Sequence, residues 1–276
     1  MNIIVTNDDG FEAKGLKALV EILRGYGHLT VVAPKKPQSG MSMAVSMGHR
    51  PIAVKHLACT SAEEDWWYLD GTPASCVKFA VDNILHPEAA DLVVSGINHG
   101  SNAATAAIYS GTLGAAMEGA VNGVLSVGVS LDTYDPDADF SAVKEMFPQI
   151  LDRLLSVSEG RHGLFYNVNF PAVPSELIKG VKICHMGMGH WEREYRRYDD
   201  FLAAGGKVPD KSAEDYIAGR EAGEEIYVMA GDFTDEDRNF YPADHRLLDE
   251  GYVTVTPHNI DNTDRYEKER LCGIIS

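Results

Sequence analysis

The chain has no excess of positive charge. Its 276 residues carry 24 Lys and Arg against 41 Asp and Glu, a net charge of −17. Holding a nucleic-acid polymer requires a basic surface that displaces counterions, so no such partner is expected. Cysteine is scarce too. The four residues Cys59, Cys76, Cys184 and Cys272 are scattered, with no CxxC pair. They read as reduced and mostly buried, and the expected compartment is the cytoplasm. Long apolar runs are missing. The least polar stretch, residues 115–131, contains Glu118 and Asn122 and is glycine-rich, so it reads as core and not as a membrane span. Asn7, Asp8 and Asp9 interrupt the only apolar start, and no secretory leader is expected. There are no internal repeats and no low-complexity tract. No GxGxxG follows the first apolar run, and Gly187-Met188-Gly189 comes too late and is too short to serve a dinucleotide-binding fold.

What remains is ordinary soluble composition, with 45% hydrophobic and 24% charged residues. The length allows one large domain, or a domain plus an appendage. Short apolar runs at residues 2–6, 29–33, 92–95, 124–131 and 164–169 read as strands. Residues 44–54 and 66–69 also look extended. Between them, residues 14–25, 73–85, 111–122 and 140–156 read as helices, with Thr72 as N-cap before Pro73. This strand–helix alternation predicts an α/β fold with a Rossmann-like, mostly parallel sheet and helices on both faces.

The pattern changes near residue 185, which sets expected domains at 1–185 and 186–276. The second part holds a charged, aromatic segment at 191–197 and a polar Gly/Pro stretch at 205–223. Strand candidates lie at 225–230 and 251–256, the latter stopped by Pro257, and a charged surface helix from 264 closes the chain. The expectation is a hairpin-bearing appendage that lids the site or embraces a neighbouring subunit.

Four loops carry the chemistry, each near the end of an apolar strand. They are Asp8-Asp9-Gly10, Ser39-Gly40, the glycine-rich segment Ser95 to Asn102, and Tyr109-Ser110-Gly111-Thr112 before a helix. Ligands of open α/β sheets bind outside the carboxyl ends of strands. Two carboxylates, a hydroxyl and a side-chain carbonyl form an all-oxygen donor set suited to Mg²⁺, Mn²⁺ or Ca²⁺. Ser-Gly-Thr at a helix start offers N–H groups and hydroxyls to an anion. Each loop also has a plainer reading, as cap, turn or loop-shaping sequence. His99 is a tempting base, but the sequence identifies no partner for it.

Together, TNDDG with AKGLKAL, VVAP…QSG, DGTPASCV, SGINHGSN, YSGTLGAAMEG, NVNFP and GYVTVTP run in order through nearly the whole chain. On these motifs the chain resembles the SurE (survival protein E) family of nucleoside monophosphate phosphatases. The resemblance implies a metal-dependent 5′-nucleotidase that cleaves nucleoside 5′-monophosphates, with 3′-monophosphates and polyphosphate as further substrates. It implies one divalent cation per subunit, Mg²⁺ or Mn²⁺ with Ca²⁺ as a possible occupant, held by Asp8, Asp9, Ser39 and Asn98. It also implies a C-terminal extension exchanged between subunits of a homodimer or homotetramer. Asp8 and Asn102 are the candidate catalytic residues. Gly40, Asn102, Ser110, Gly111 and Thr112 are candidates for holding the phosphate, and neither a nucleic-acid polymer nor a membrane is an expected partner.

One segment departs from the family pattern. After SGINxGxN, relatives commonly continue with Leu-Gly and an acidic pair before YSGT. Here residues 103–108 read Ala-Ala-Thr-Ala-Ala-Ile, which leaves the ligand positions intact and changes the loop. Two rival readings share a strand ending in acids. A haloacid-dehalogenase-type phosphatase needs an alternating DxD, whereas Asp8 and Asp9 are adjacent and follow Asn7. A non-enzymatic phospho-receiver is much shorter and pairs its phosphoacceptor Asp with a downstream Lys. Asp70 begins the DGTPAS turn with no matching Lys after it.

Overall fold

The structure is a computed structural model that describes residues 1–46, 51–57, 61–158, 161–206, 217–221, 223–235 and 242–275. Two compact units make up the chain: Met1–Gly187 with Asn239–Ser276, and Met188–Arg238.

The first unit is built on a nine-stranded sheet in the order β3-β4-β2-β1-β5-β6-β7-β13-β8. These strands are β1 (Asn2–Thr6), β2 (His28–Pro34), β3 (Val54–Leu57), β4 (Glu64–Leu69), β5 (Leu92–His99), β6 (Leu125–Asp132), β7 (Leu164–Pro171), β8 (Val181–Ile183) and β13 (Val253–Asn259). From β4 through β7 every pair is parallel. β3 runs antiparallel to β4, and β13 antiparallel to β7. The expected mostly parallel α/β sheet is what the chain adopts.

Side chains on a strand alternate between faces, and β1 shows it directly. Ile3 and Val5 join one core with Leu16, Leu19, Phe147 and Leu151, from α1 (Lys14–Leu23) and α5 (Ser141–Val157). Ile4 points to the other core, with Val32, Val93, Cys76, Val77 and Ala115. That face is covered by α2 (Pro73–Phe79) and α4 (Gly111–Val121), the latter preceded by the single turn α3 (Ala106–Tyr109). Thr72 caps α2 as expected, its hydroxyl accepting from Ser75 N at 3.3 Å. The expected helix 73–85 changes winding midway: α2 is followed by π-helical turns at Ala80–Leu85, and Pro87 follows, with no N–H to continue them.

Two further expectations are corrected. Of residues 44–54, only Val54 enters a strand, and 47–50 lie outside the described residues. Residues 44–46 are instead a loop pinned to α2, through Thr72 Oγ1 donating to Ala44 O (2.6 Å) and Ser46 N donating to Ser75 Oγ (2.9 Å). The last strand does not stop at Pro257 but runs to Asn259. Val255 O accepts from Cys184 N, so Val255 and Pro257 turn their backbone groups to the β8 side. β8 ends at Ile183, so the missing N–H of Pro257 leaves no ladder bond unmade.

The thiols are less buried than expected: Cys76 is buried, Cys184 half-buried and Cys272 exposed, while Cys59 lies outside the described residues.

The second unit is a ribbon. β9 (His190–Glu192) pairs antiparallel with β12 (Asp232–Thr234), and β10 (Tyr195–Arg197) with β11 (Tyr227–Met229). A short helix, Tyr198–Ala203, follows β10. No helix among the described residues is long and apolar enough to cross a membrane.

Candidate metal and phosphate site

Chain order sets the location. β1 leads to β2 on one side, while β5 lies on its other side. The carboxyl ends of β1 and β5 therefore flank a topological switch point, where open α/β sheets bind ligands. Asp8 and Asp9 leave the first of these ends, and Asn98 sits near the end of the second.

Asp8 is buried, at 4% exposure. Its Oδ1 accepts from Thr112 Oγ1 at 2.6 Å, and its backbone O accepts from Gln38 N at 2.7 Å. Gly111 packs over it so closely that a Cβ there would lie 2.9 Å from Asp8 Cβ and 3.1 Å from Gln38 O. The first and fourth polar loops, and Gln38 just before the second, are thus tied together at one residue, Asp8. Burial pushes the Asp8 carboxyl up to about 6; the Thr112 hydrogen bond opposes that rise, and the neighbouring charge of Asp9 adds to it.

The third loop reaches the same place through Asp9. Its Oδ2 lies 3.4 Å from Nδ1 of His99, a partner for that histidine which the sequence did not reveal. The His99 ring packs edge-on against Phe140, with centroids 5.4 Å apart. Asn98 Nδ2 donates to Gly100 O at 2.7 Å, which leaves its carbonyl oxygen for another partner. Ser39 and Gly40 are exposed; Gly40 has φ +74°, and a Cβ there would meet nothing within 4 Å.

The phosphate candidates divide. Ser110 is the N-cap of α4, its hydroxyl accepting from Leu113 N at 3.0 Å. Thr112 faces Asp8, as above. Asn102 is buried and turned toward the sheet, where Nδ2 donates to Ser130 Oγ at 2.8 Å. Its backbone is fixed as well. Asn102 N donates to Asn169 Oδ1 at 2.7 Å, and Asn167 Nδ2 donates to Asn102 O at 2.8 Å. Asn167 and Asn169, both from the NVNFP segment of β7, are supports that sequence reasoning quoted without a role.

A second missed support is Asp244, in the helix Asp244–Asp249. It is fully buried, and its Oδ1 accepts from the N–H groups of Ala104 (3.0 Å), Gly187 (2.9 Å) and His245 (2.8 Å). The segment that departs from the family pattern is thus held at its start, by Asp244 on Ala104 and by Asn169 and Asn167 on the preceding Asn102. Nothing in the local sequence around residue 244 signals this, because the partners are far apart in the chain.

The chemistry of the donor set suits a hard divalent cation. Among the described residues, neither Asp8 nor Asp9 pairs with a Lys or Arg, and burial has lifted one of two adjacent carboxyls toward neutrality. A cation here would relieve both effects with oxygen ligands. Among the described residues no group of three or more His, Cys, Asp or Glu converges on a metal position, so a cation here would need hydroxyl or amide oxygens beside Asp8 and Asp9.

Known proteins show the same frame. The family model described as Survival protein SurE matches residues 3–193. The chain is similar to the 5′-nucleotidase SurE of Christiangramia forsetii, 37% identical over 261 residues, covering 95% of this chain and 92% of that relative. It is similar also to the 5′-nucleotidase SurE of Cytophaga hutchinsonii, 38% identical over 264 residues, again covering 95% and 92%. The crystal structure of the SurE protein from Aquifex aeolicus superposes with a TM-score of 0.77 at 27% identity, covering 100% of both chains. With the motif loops gathered at one sheet edge and similarity over nearly its whole length, the chain belongs to the SurE family.

Proposed function

We propose that the protein is a divalent-metal-dependent phosphatase that hydrolyses nucleoside 5′-monophosphates to nucleoside and phosphate. The observation that carries this is the buried Asp8 at the switch point, beside Asp9 and without a Lys or Arg partner among the described residues. The names of the relatives, 5′-nucleotidase SurE, agree with it.

In this reading Asp8, Asp9, Ser39 and the carbonyl of Asn98 hold the cation. When bound, the cation neutralises phosphate charge and withdraws electrons from phosphorus. In the first turn of the 11-residue α4 the N–H of Thr112 serves the Asp8 carboxylate, while that of Gly111, with no intrahelical acceptor, supports a substrate anion beside the Thr112 hydroxyl. Ser110 shapes that turn, Gly40 leaves open space beside it, and Asn102 completes the set with its second amide hydrogen. Asp8 orients the attacking water. The water oxygen bonds to phosphorus, the ester P–O bond breaks, and the departing nucleoside oxygen takes, in the net reaction, one of the two protons of the attacking water. Positioning and charge supply most of such catalysis. Nucleoside 3′-monophosphates and polyphosphate are further substrates in this reading. The protein works as a dimer or tetramer joined through its C-terminal extension, whose ribbon exposes Trp191, Tyr195 and Met229.

The test is phosphate release from AMP with Mg²⁺ or Mn²⁺, with and without EDTA, for the wild type and Asp8→Asn. The expected result is activity in the wild type that EDTA abolishes and the variant lacks. Full metal-dependent activity in Asp8→Asn would overturn the assignment.

A further inference from the structure

β4 lies two strands from β1 across β2. Neighbouring strands are about 4.8 Å apart, so the carboxyl end of β4 is roughly 10 Å from that of β1. A cavity of about 310 Å³ opens there, lined by Gln38, Ser46, Pro51, Ile52, Asp70 and Thr72. Its position is tied to Asp8, because Gln38, which lines it, donates its backbone N–H to Asp8 O at 2.7 Å.

The walls are built. Thr72 Oγ1 holds Ala44 O at 2.6 Å, Ser46 N holds Ser75 Oγ at 2.9 Å, and Asp70 N donates to Ala53 O at 2.8 Å. These bonds fix the loop before the cavity and the turn that carries Asp70. By contrast, the side chains of Gln38, Ser46 and Asp70 make no hydrogen bond or ion pair among the described residues. The cavity therefore offers an amide, a hydroxyl and a carboxylate as open partners, beside an apolar wall of Pro51 and Ile52.

A second phosphate does not suit that set, since Asp70 would repel it. A nucleoside does. Its base has apolar faces for Pro51 and Ile52, and its base edge and ribose carry N–H and O–H donors for a carboxylate. The cavity opens two strands away from the loop that carries Asp8, on the same sheet edge, so one substrate can lie across both. We propose that this cavity is the nucleoside subsite and that Asp70, in the DGTPAS turn, accepts hydrogen bonds from the substrate's base or ribose. The proposal rests on the phosphatase reading for what the neighbouring site does, but its test does not use phosphate.

The experiment is calorimetric titration of the full-length protein with adenosine, guanosine, cytidine and uridine, and with their 2′,3′-dideoxy forms. The proteins compared are the wild type, Asp70→Ala, Asp70→Asn and Ile52→Trp. Losing a hydrogen bond to a charged group is expected to weaken the preferred nucleoside about tenfold to a hundredfold in Asp70→Ala. The filled cavity of Ile52→Trp is expected to abolish binding, with the melting temperature of each variant checking its fold. A dideoxy penalty that the wild type shows and Asp70→Ala lacks assigns Asp70 to the ribose, and a base preference that Asp70→Ala loses assigns it to the base edge. No nucleoside binding by the wild type, or equal binding by all four proteins, overturns the proposal. Failure of the phosphatase reading appears separately, as wild-type protein that releases no phosphate from AMP whatever the titrations give.

Discussion

Thr112 Oγ1 donates to Asp8 Oδ1 at 2.6 Å, joining the start of α4 to the end of β1 across 104 positions of sequence. The bond favours the ionised carboxylate, against the burial and the Asp9 charge that favour the neutral acid. Thr112 therefore helps decide how readily Asp8 gives up its proton to a cation.

Replacing Thr112 with Val keeps the shape and removes the donor. Asp8 is expected to become a weaker acid, and Mn²⁺ affinity at pH 7, measured by titration calorimetry, is expected to fall about tenfold or more. Thr112→Ser is expected to recover most of it. Equal Mn²⁺ affinity in the wild type and the Val variant would show that the hydroxyl does not tune Asp8.

The raised Asp8 carboxyl gives the metal-free protein a signed pH dependence. Its folded value of about 6 lies above the ordinary 3.8, so between these values the folded state holds a proton that the unfolded state lacks. Stability from this group is therefore greatest below about 3.8 and falls as pH rises to about 6. The two-unit difference corresponds to on the order of 3 kcal/mol. A cation competes with the same proton, so metal affinity is expected to drop about tenfold per pH unit below 6. Urea titrations of the EDTA-treated protein at pH 4.5, 5.5 and 6.5, compared with Asp8→Asn, isolate the contribution. A wild-type minus variant difference that does not change with pH would refute it.

Local sequence carried much of this architecture. Strand β1 and the cap at Thr72 were legible because their causes lie within a few residues: an apolar run, and Thr before Pro. The four loops were legible as neighbours because parallel strands bring their carboxyl ends to one edge. What local sequence could not carry were the pairings that bring distant residues together. His99 with Asp9, Thr112 with Asp8, and Asp244 with Ala104 depend on strand order. The loop at 44–46 misled because its extended-looking residues are held by Thr72 and Ser75 and not by a neighbouring strand. Pro257 misled because its effect depends on where β8 ends, more than 70 residues earlier in the chain.

Asp244 is the strongest stability prediction. Its one oxygen accepts three backbone N–H groups, all buried, so truncation leaves all three without an acceptor. Each such loss costs about 1–3 kcal/mol, and Asp244→Ala is expected to cost about 3 kcal/mol or more in denaturant titrations. Asp244→Asn keeps an acceptor oxygen and is expected to lose less. A loss below about 1 kcal/mol in the Ala variant would mean that the clamp on Ala104 and Gly187 is not holding the loop.

The ribbon of the second unit supplies the last prediction. Trp191 and Phe233 are register partners on β9 and β12, with ring centroids 5.6 Å apart, and they remain 46% and 44% exposed. Tyr195 and Met229, paired on β10 and β11, are 70% and 65% exposed. An isolated two-stranded ribbon is marginal in water, and one carrying exposed large apolar side chains gains most by docking on another subunit. Light scattering of the eluting wild type is therefore expected to give a dimer or tetramer at micromolar concentration. The double substitution Trp191→Asp with Tyr195→Asp places charges on both ribbon pairs and is expected to shift the protein toward monomer. Neither residue belongs to the first unit, so its urea-unfolding transition is expected to persist in the variant. A monomeric wild type, or an unchanged oligomer in the double variant, would remove the ribbon from the assembly.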